Sequence, residues 1–120
     1  MDKYIIYHNS RWGKSRSALQ LLRDSNIEPQ IIDYIKNPPS IVELKRISRL
    51  LGLDPSEWIR KTEKDYKNNN LKDIKDSEKI FSLMSKYPKL IERPIVTFGK
   101  NGIVARPIEK LIDFLRSLFL

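Results

Sequence analysis

The chain holds 120 residues, with 23 Lys and Arg against 15 Asp and Glu for a formal charge of +8, and it contains no cysteine. That length suits one domain, and a content of 40% hydrophobic and 32% charged residues excludes a disordered or membrane-embedded chain. Without sulfhydryls there is no disulfide, thiolate nucleophile or thiolate-held zinc or iron–sulfur cluster, and a single histidine, His8, excludes a histidine-rich metal site.

Residues 3–8, KYIIYH, are β-branched and aromatic and predict a first strand. Ala18, Leu19, Leu21 and Leu22 then set the apolar face of a helix from about Lys14 to Ser25, and a second strand is expected around Gln30–Tyr34. Ser40, with Glu43 three residues on, predicts a capping box for a helix whose apolar stripe is Ile41, Leu44, Ile47, Leu50 and Leu51 and whose end is Gly52. Asp54-Pro55-Ser56-Glu57 starts a short helical turn through Trp58 and Ile59. Residues 60–77 are polar and predict short helices and loops, and a further helix is expected over about Ser77–Lys86. Arg93–Phe98 reads as a strand, Gly99-Lys100-Asn101-Gly102 as a hairpin turn and Ile103–Ala105 as its partner strand. Pro107 begins a final helix with Ile108, Leu111, Ile112, Phe114 and Leu115 facing inward, and the apolar LRSLFL end is expected to pack on the core. The order is βαβ, a helical insertion, then ββα.

No apolar run approaches the roughly 20 residues of a spanning helix, so no membrane partner is expected. The first ten residues lack the apolar core of a signal segment, and a cytoplasmic monomer is the expectation. The positive excess suits phosphates, acidic surfaces or small oxyanions. Lysines on solvated faces account for much of it, so nucleic acid is not the expected partner.

Three stretches carry a more specific signal. Tyr7-His8-Asn9-Ser10-Arg11-Trp12-Gly13-Lys14-Ser15-Arg16 joins the first strand to the first helix. Asn37-Pro38-Pro39-Ser40 with Glu43-Leu44 is followed by Leu51-Gly52 and Arg60-Lys61. Pro88-Lys89-Leu90-Ile91-Glu92-Arg93-Pro94-Ile95-Val96 leads into the hairpin, and Ala105-Arg106-Pro107 follows it. In this order and at these distances they resemble the glutaredoxin-dependent arsenate reductase family. That family sets a histidine, three residues, the nucleophilic cysteine, three residues and an arginine at a helix start. His8, Trp12 and Arg16 hold that spacing. The resemblance implies a thioredoxin-like α/β fold, a βαβ…ββα core with a helical insertion over about residues 38–88, in a single domain spanning residues 1–120. It further implies that Arg60, Arg93 and Arg106 bind the oxyanion, that Pro94 is a cis-proline beside the reactive loop, and that relatives draw electrons from glutathione and glutaredoxin.

Trp12 stands where the resemblance puts the thiol, so no catalytic group is left intact. Indole is neither nucleophile nor redox carrier here, and no use of glutathione is expected. Ser15 is a weak nucleophile without an activating base, and His8 reads as orienting the loop. Ser10 replaces the proline usual in the family. Trp12 is read as an aromatic surface for a ligand or protein, as a plug in the thiol pocket, or as a side chain turned to water. Lys14 and Arg16 put cations at a helix start, where the dipole disfavours them by ~0.3–1 kcal/mol, and so point to an anion or acidic partner at the loop.

The leading expectation is a catalytically silent homologue retaining an arginine-lined pocket for arsenate, phosphate or sulfate. One alternative is an Spx-type regulator, which shares the fold and binds RNA polymerase; Trp12 and Ser15 stand where such proteins carry a Cys-x-x-Cys pair. The other is a genuine reductase altered at residue 12. A small oxyanion, a glutaredoxin-like protein and RNA polymerase are the corresponding partners.

Overall fold

The computed structural model describes residues 2–119. Strand β1 (Tyr4–His8) leads into helix α1 (Gly13–Asp24) and strand β2 (Gln30–Asp33). Helices α2 (Ile41–Leu51), α3 (Lys64–Asn68) and α4 (Ser77–Lys86) follow, with single 3-10 turns at Pro55–Glu57, Leu71–Asp73 and Pro88–Leu90. Strands β3 (Ile95–Phe98) and β4 (Asn101–Val104) form a hairpin, and helix α5 (Ile108–Phe119) closes the order. Leu120 of the apolar C-terminal run lies outside the described residues, whereas Leu115 is buried.

The sheet order is β2-β1-β3-β4, with β1 parallel to β2 and antiparallel to β3. The alternation of a strand sends successive side chains to opposite faces. Ile6 and Val96, paired across β1 and β3, join Ala18 and Leu22 of α1 and Leu111 and Leu115 of α5 in one core. Tyr7 and Ile95, the next pair, face Leu44 and Ile47 of α2 and Ile80, Phe81 and Met84 of α4. Each large apolar side chain so removed from water contributes about 1.5–3 kcal/mol, which fixes the register of β1 and hence the place of the loop after it.

Several boundaries differ from expectation for identifiable reasons. The turn of the hairpin is Gly99-Lys100 alone; Asn101 pairs with Phe98 and Gly102 with Thr97 inside the ladder. Gly99 has φ +60°, the left-handed region glycine favours, whereas Gly102 serves a close approach: a Cβ there would sit 3.2 Å from Leu50 Cβ of α2. Strand β3 starts at Ile95, because Arg93-Pro94 precedes the ladder, and Ala105 lies beyond β4. Ser40 accepts a hydrogen bond from the Glu43 N–H, but the Glu43 carboxylate does not complete the box; it accepts from Tyr7 Oη at 2.9 Å and Arg46 Nε at 2.9 Å instead. Among the described residues no helix is long and apolar enough to cross a membrane.

Candidate functional site

The loop from Asn9 to Trp12 leaves the C-terminal end of β1 and turns into α1. Trp12 N–H donates to the Asn9 carbonyl at 3.0 Å, and Arg11 N–H to Asn9 Oδ1 at 3.1 Å. The Arg16 guanidinium reaches back from the first turn of α1 and donates to the Ser10 carbonyl at 2.9 Å. Arg16 is thus a fastener of the loop, which accounts for a cation near this helix start without a ligand. Trp12 is the N-cap residue, extended at φ −106° and ψ 126°, and the first turn beyond it holds no acidic residue.

His8 and Ser15 are both buried, and neither His8 Nδ1 nor Ser15 Oγ has a hydrogen-bond partner among the described residues. No serine–histidine pair therefore forms. Burial pushes the His8 imidazole below its ordinary range; Asp33 opposes that shift, and Arg16 and Arg23 reinforce it.

A small β-bridge brings the arginines together. Ile59 pairs with Ile91, with Arg60 N–H donating to the Leu90 carbonyl at 2.7 Å and Glu92 N–H to the Trp58 carbonyl at 3.1 Å. Buried Trp58 anchors the bridge, its Nε1–H donating to Ser48 Oγ at 2.9 Å. Arg60 and the Glu92-Arg93 pair are therefore held side by side. The peptide bonds Arg93–Pro94 and Arg106–Pro107 are both cis.

The three arginines have unequal surroundings. Arg60 Nη1 lies 3.4 Å from Glu92 Oε1 and its Nε 3.3 Å from Glu63 Oε1, the latter without hydrogen-bond alignment. Arg106 Nη1 lies 3.5 Å from the same Glu92 oxygen. Arg93 is only 4% exposed, and among the described residues no carboxylate comes within ion-pair distance of it. The Tyr34 hydroxyl beneath it is buried and close to Arg93 and Asn9 without a well-formed hydrogen bond to either. Burial pulls the Arg93 guanidinium below its usual value and Arg60 adds to that, while Tyr34 and, beyond ion-pair distance, the Glu63 carboxylate work against it.

The Arg93 guanidinium carbon sits over the Trp12 ring, 3.6 Å from its centroid, and that of Arg60 lies at 5.8 Å. Trp12 remains 46% exposed. It neither plugs a closed pocket nor points freely into water; it forms one wall of an open cleft of about 630 Å³. Asn9, Arg11, Asp33, Lys36, Lys89 and Arg93 are among the other lining residues. Arg106 lines a separate cleft of about 470 Å³ with Lys14, Glu57, Glu92 and Lys110. Arg60 and Arg106 thus meet through Glu92, while Arg93 stands apart at the Trp12 cleft, and the expected trio does not share one opening. Sequence reasoning missed Glu92, Glu63, Tyr34, Asp33 and Lys89. Only Glu92, next to Arg93, carried a local hint, and its bonds to Arg60 and Arg106 depend on the fold.

Comparison with known proteins agrees with the fold. Residues 7–114 match the ArsC family. An arsenate reductase of Haemophilus influenzae is 37% identical over 92% of this chain and 97% of its own. The Escherichia coli K12 protein YfgD, described as uncharacterized, is 36% identical over 94% of this chain and 98% of its own. The structure of an arsenate reductase from Vibrio cholerae superposes with a TM-score of 0.89 at 40% identity, covering 92% of this chain and 96% of that one. The chain belongs to the ArsC family, an arsenate reductase family of thioredoxin-like α/β fold, and it carries Trp12 where the family motif sets its cysteine.

Proposed function

We infer that this family member binds a small tetrahedral oxyanion, of the arsenate, phosphate or sulfate class, at Arg93 and does not reduce it. The observation that carries the reading is the buried, unpaired charge of Arg93. Taking a guanidinium out of water costs several kcal/mol unless an opposite charge meets it. The stacked, half-exposed indole offsets only about 1 kcal/mol of that cost. At 3.6 Å from the ring centroid Trp12 covers the guanidinium face, and because Arg93 lines the open cleft an anion entering there would meet the N–H edge. That edge is the fork that matches two oxygens of a tetrahedral anion. Arg60 and Arg106 are already balanced by Glu63 and Glu92, which leaves the anion to Arg93.

Reduction is a separate matter. Passing two electrons to an arsenic oxyanion on this scaffold requires a thiolate, and the chain has no sulfhydryl. Nor does the geometry offer a substitute nucleophile, since Ser15 is buried without a partner for its hydroxyl. Isothermal titration with arsenate, phosphate and sulfate tests the reading: saturable heat in the unmodified protein and none in Arg93→Ala is expected. Absence of heat in the unmodified protein contradicts it.

A further inference from the structure

Of the two tryptophans, Trp58 is buried and Trp12 is 46% exposed. A large aromatic left half in water calls for explanation in a way that scattered small apolar residues do not. This one is also held in place. Its backbone N–H is tied to the Asn9 carbonyl, and the Arg93 guanidinium is stacked on one face. A cation on one face of an indole draws π density toward itself, which makes the opposite face a better partner for an electron-rich ring.

The open cleft beside the indole has room for much more than an inorganic oxyanion. A water molecule occupies roughly 30 Å³ of liquid and an oxyanion a few times that, against about 630 Å³ here. Such a volume is in the range of sites for small organic molecules. Its charges are asymmetric. Asp33 and Glu63 line it, but Asp33 Oδ1 already accepts from the Ile35 and Lys36 N–H groups, and Glu63 is paired with Arg60. Arg11, Lys36, Lys89 and Arg93 line it as well, and among the described residues none of the four forms an ion pair.

We propose that this cleft is a binding site for a purine nucleotide, with the base stacked on the exposed face of Trp12 and the phosphate held by Arg93 and the other cations of the same cleft. A purine offers a broad, electron-rich ring for the one and a tetrahedral anion for the other. The proposal rests on the reading of Arg93 as an anion site and adds the organic part of the ligand. It gives residue 12 a task that the motif's thiol could not perform.

Calorimetric titrations with GMP, guanosine and inorganic phosphate separate the contributions. Stacking a base on an aromatic side chain strengthens binding by roughly 5- to 140-fold, so GMP is expected to bind at least about fivefold tighter than phosphate. Trp12→Ala is expected to abolish the preference, so that GMP and phosphate bind that variant with equal affinity. Trp12→Leu, which keeps apolar area without a π face, is expected to do the same, and the near-ultraviolet signal of buried Trp58 reports that either variant is folded. Phosphate binding that depends on Arg93, with no preference for GMP, overturns the nucleotide proposal and spares the anion reading. A GMP preference that survives both substitutions at Trp12 also overturns it. No binding of either ligand overturns both.

Discussion

The guanidinium of Arg93 lies over the indole of Trp12, 3.6 Å from the ring centroid, so the residue at the family's thiol position is the direct neighbour of a buried cation. A thiolate in that place would pair with Arg93 by charge. The indole meets it through its π face, which leaves the charge itself unneutralised.

Removing the indole should therefore cost stability as well as change binding. A cation–π contact at a partly desolvated site contributes about 1 kcal/mol. Trp12→Ala is expected to lower the urea midpoint by an amount of that order, and Trp12→Phe by less. Equal stability of Trp12→Ala and the unmodified protein would show that the stack contributes nothing.

Arg93 itself should behave in the opposite sense. Replacing a buried unpaired charge by an apolar side chain of similar length is often neutral or stabilising. Arg93→Met is expected to hold or raise the thermal midpoint while weakening phosphate binding at least about tenfold, which corresponds to 1.4 kcal/mol. A variant that melts well below the unmodified protein would show that the guanidinium is a structural member and not a poised ligand.

Tyr7 predicts an alkaline limit. Burial pushes its phenol up to about 12, helped by the Glu43 carboxylate it donates to and opposed by Arg46. Its folded value is above the unfolded value of about 10. The native state therefore holds this proton more tightly. The contribution is complete below pH 10 and is lost as pH rises from 10 toward 12. With partial solvent screening allowed for, it is on the order of 1–2 kcal/mol. Urea midpoints measured from pH 9 to 11.5 should fall more steeply in the unmodified protein than in Tyr7→Phe; parallel slopes would contradict the assignment.

The place of residue 12 can be read chemically by restoring a thiol. Trp12→Cys would put the sulfur at the N-cap of α1, a helix with no acid in its first turn, beside Arg93 and Arg60. Those surroundings stabilise a thiolate. The pH profile of its alkylation by iodoacetamide is expected to show a midpoint at least ~1 unit below the free-cysteine value of about 8.5. A midpoint at or above that value would mean that the helix end and the arginines do not act on this position.

Much of the architecture could be read from residue pattern. The stripe Leu44, Ile47 and Leu51, the Ser40 cap and the Gly52 stop place α2 as found, and α4 spans the expected Ser77–Lys86. The hairpin turn misled because Gly99, Lys100, Asn101 and Gly102 all favour turns, and only the packing of Leu50 shows that Gly102 belongs to the strand. The site was legible in part. The arginines were identified by resemblance, but their partition was not, because Glu92 reaches Arg60 across 32 positions and only the Ile59–Ile91 bridge aligns them. The stacking of Arg93 on Trp12 had no sequence signal at all, since it joins residues 81 positions apart through the sheet.

The most direct test of the account is an arsenate turnover assay on the purified, unmodified protein with glutathione and glutaredoxin supplied. No arsenite above the protein-free control is the predicted result. Arsenite formed in proportion to protein concentration would contradict it, because this chain has no sulfur nucleophile with which to begin the reaction.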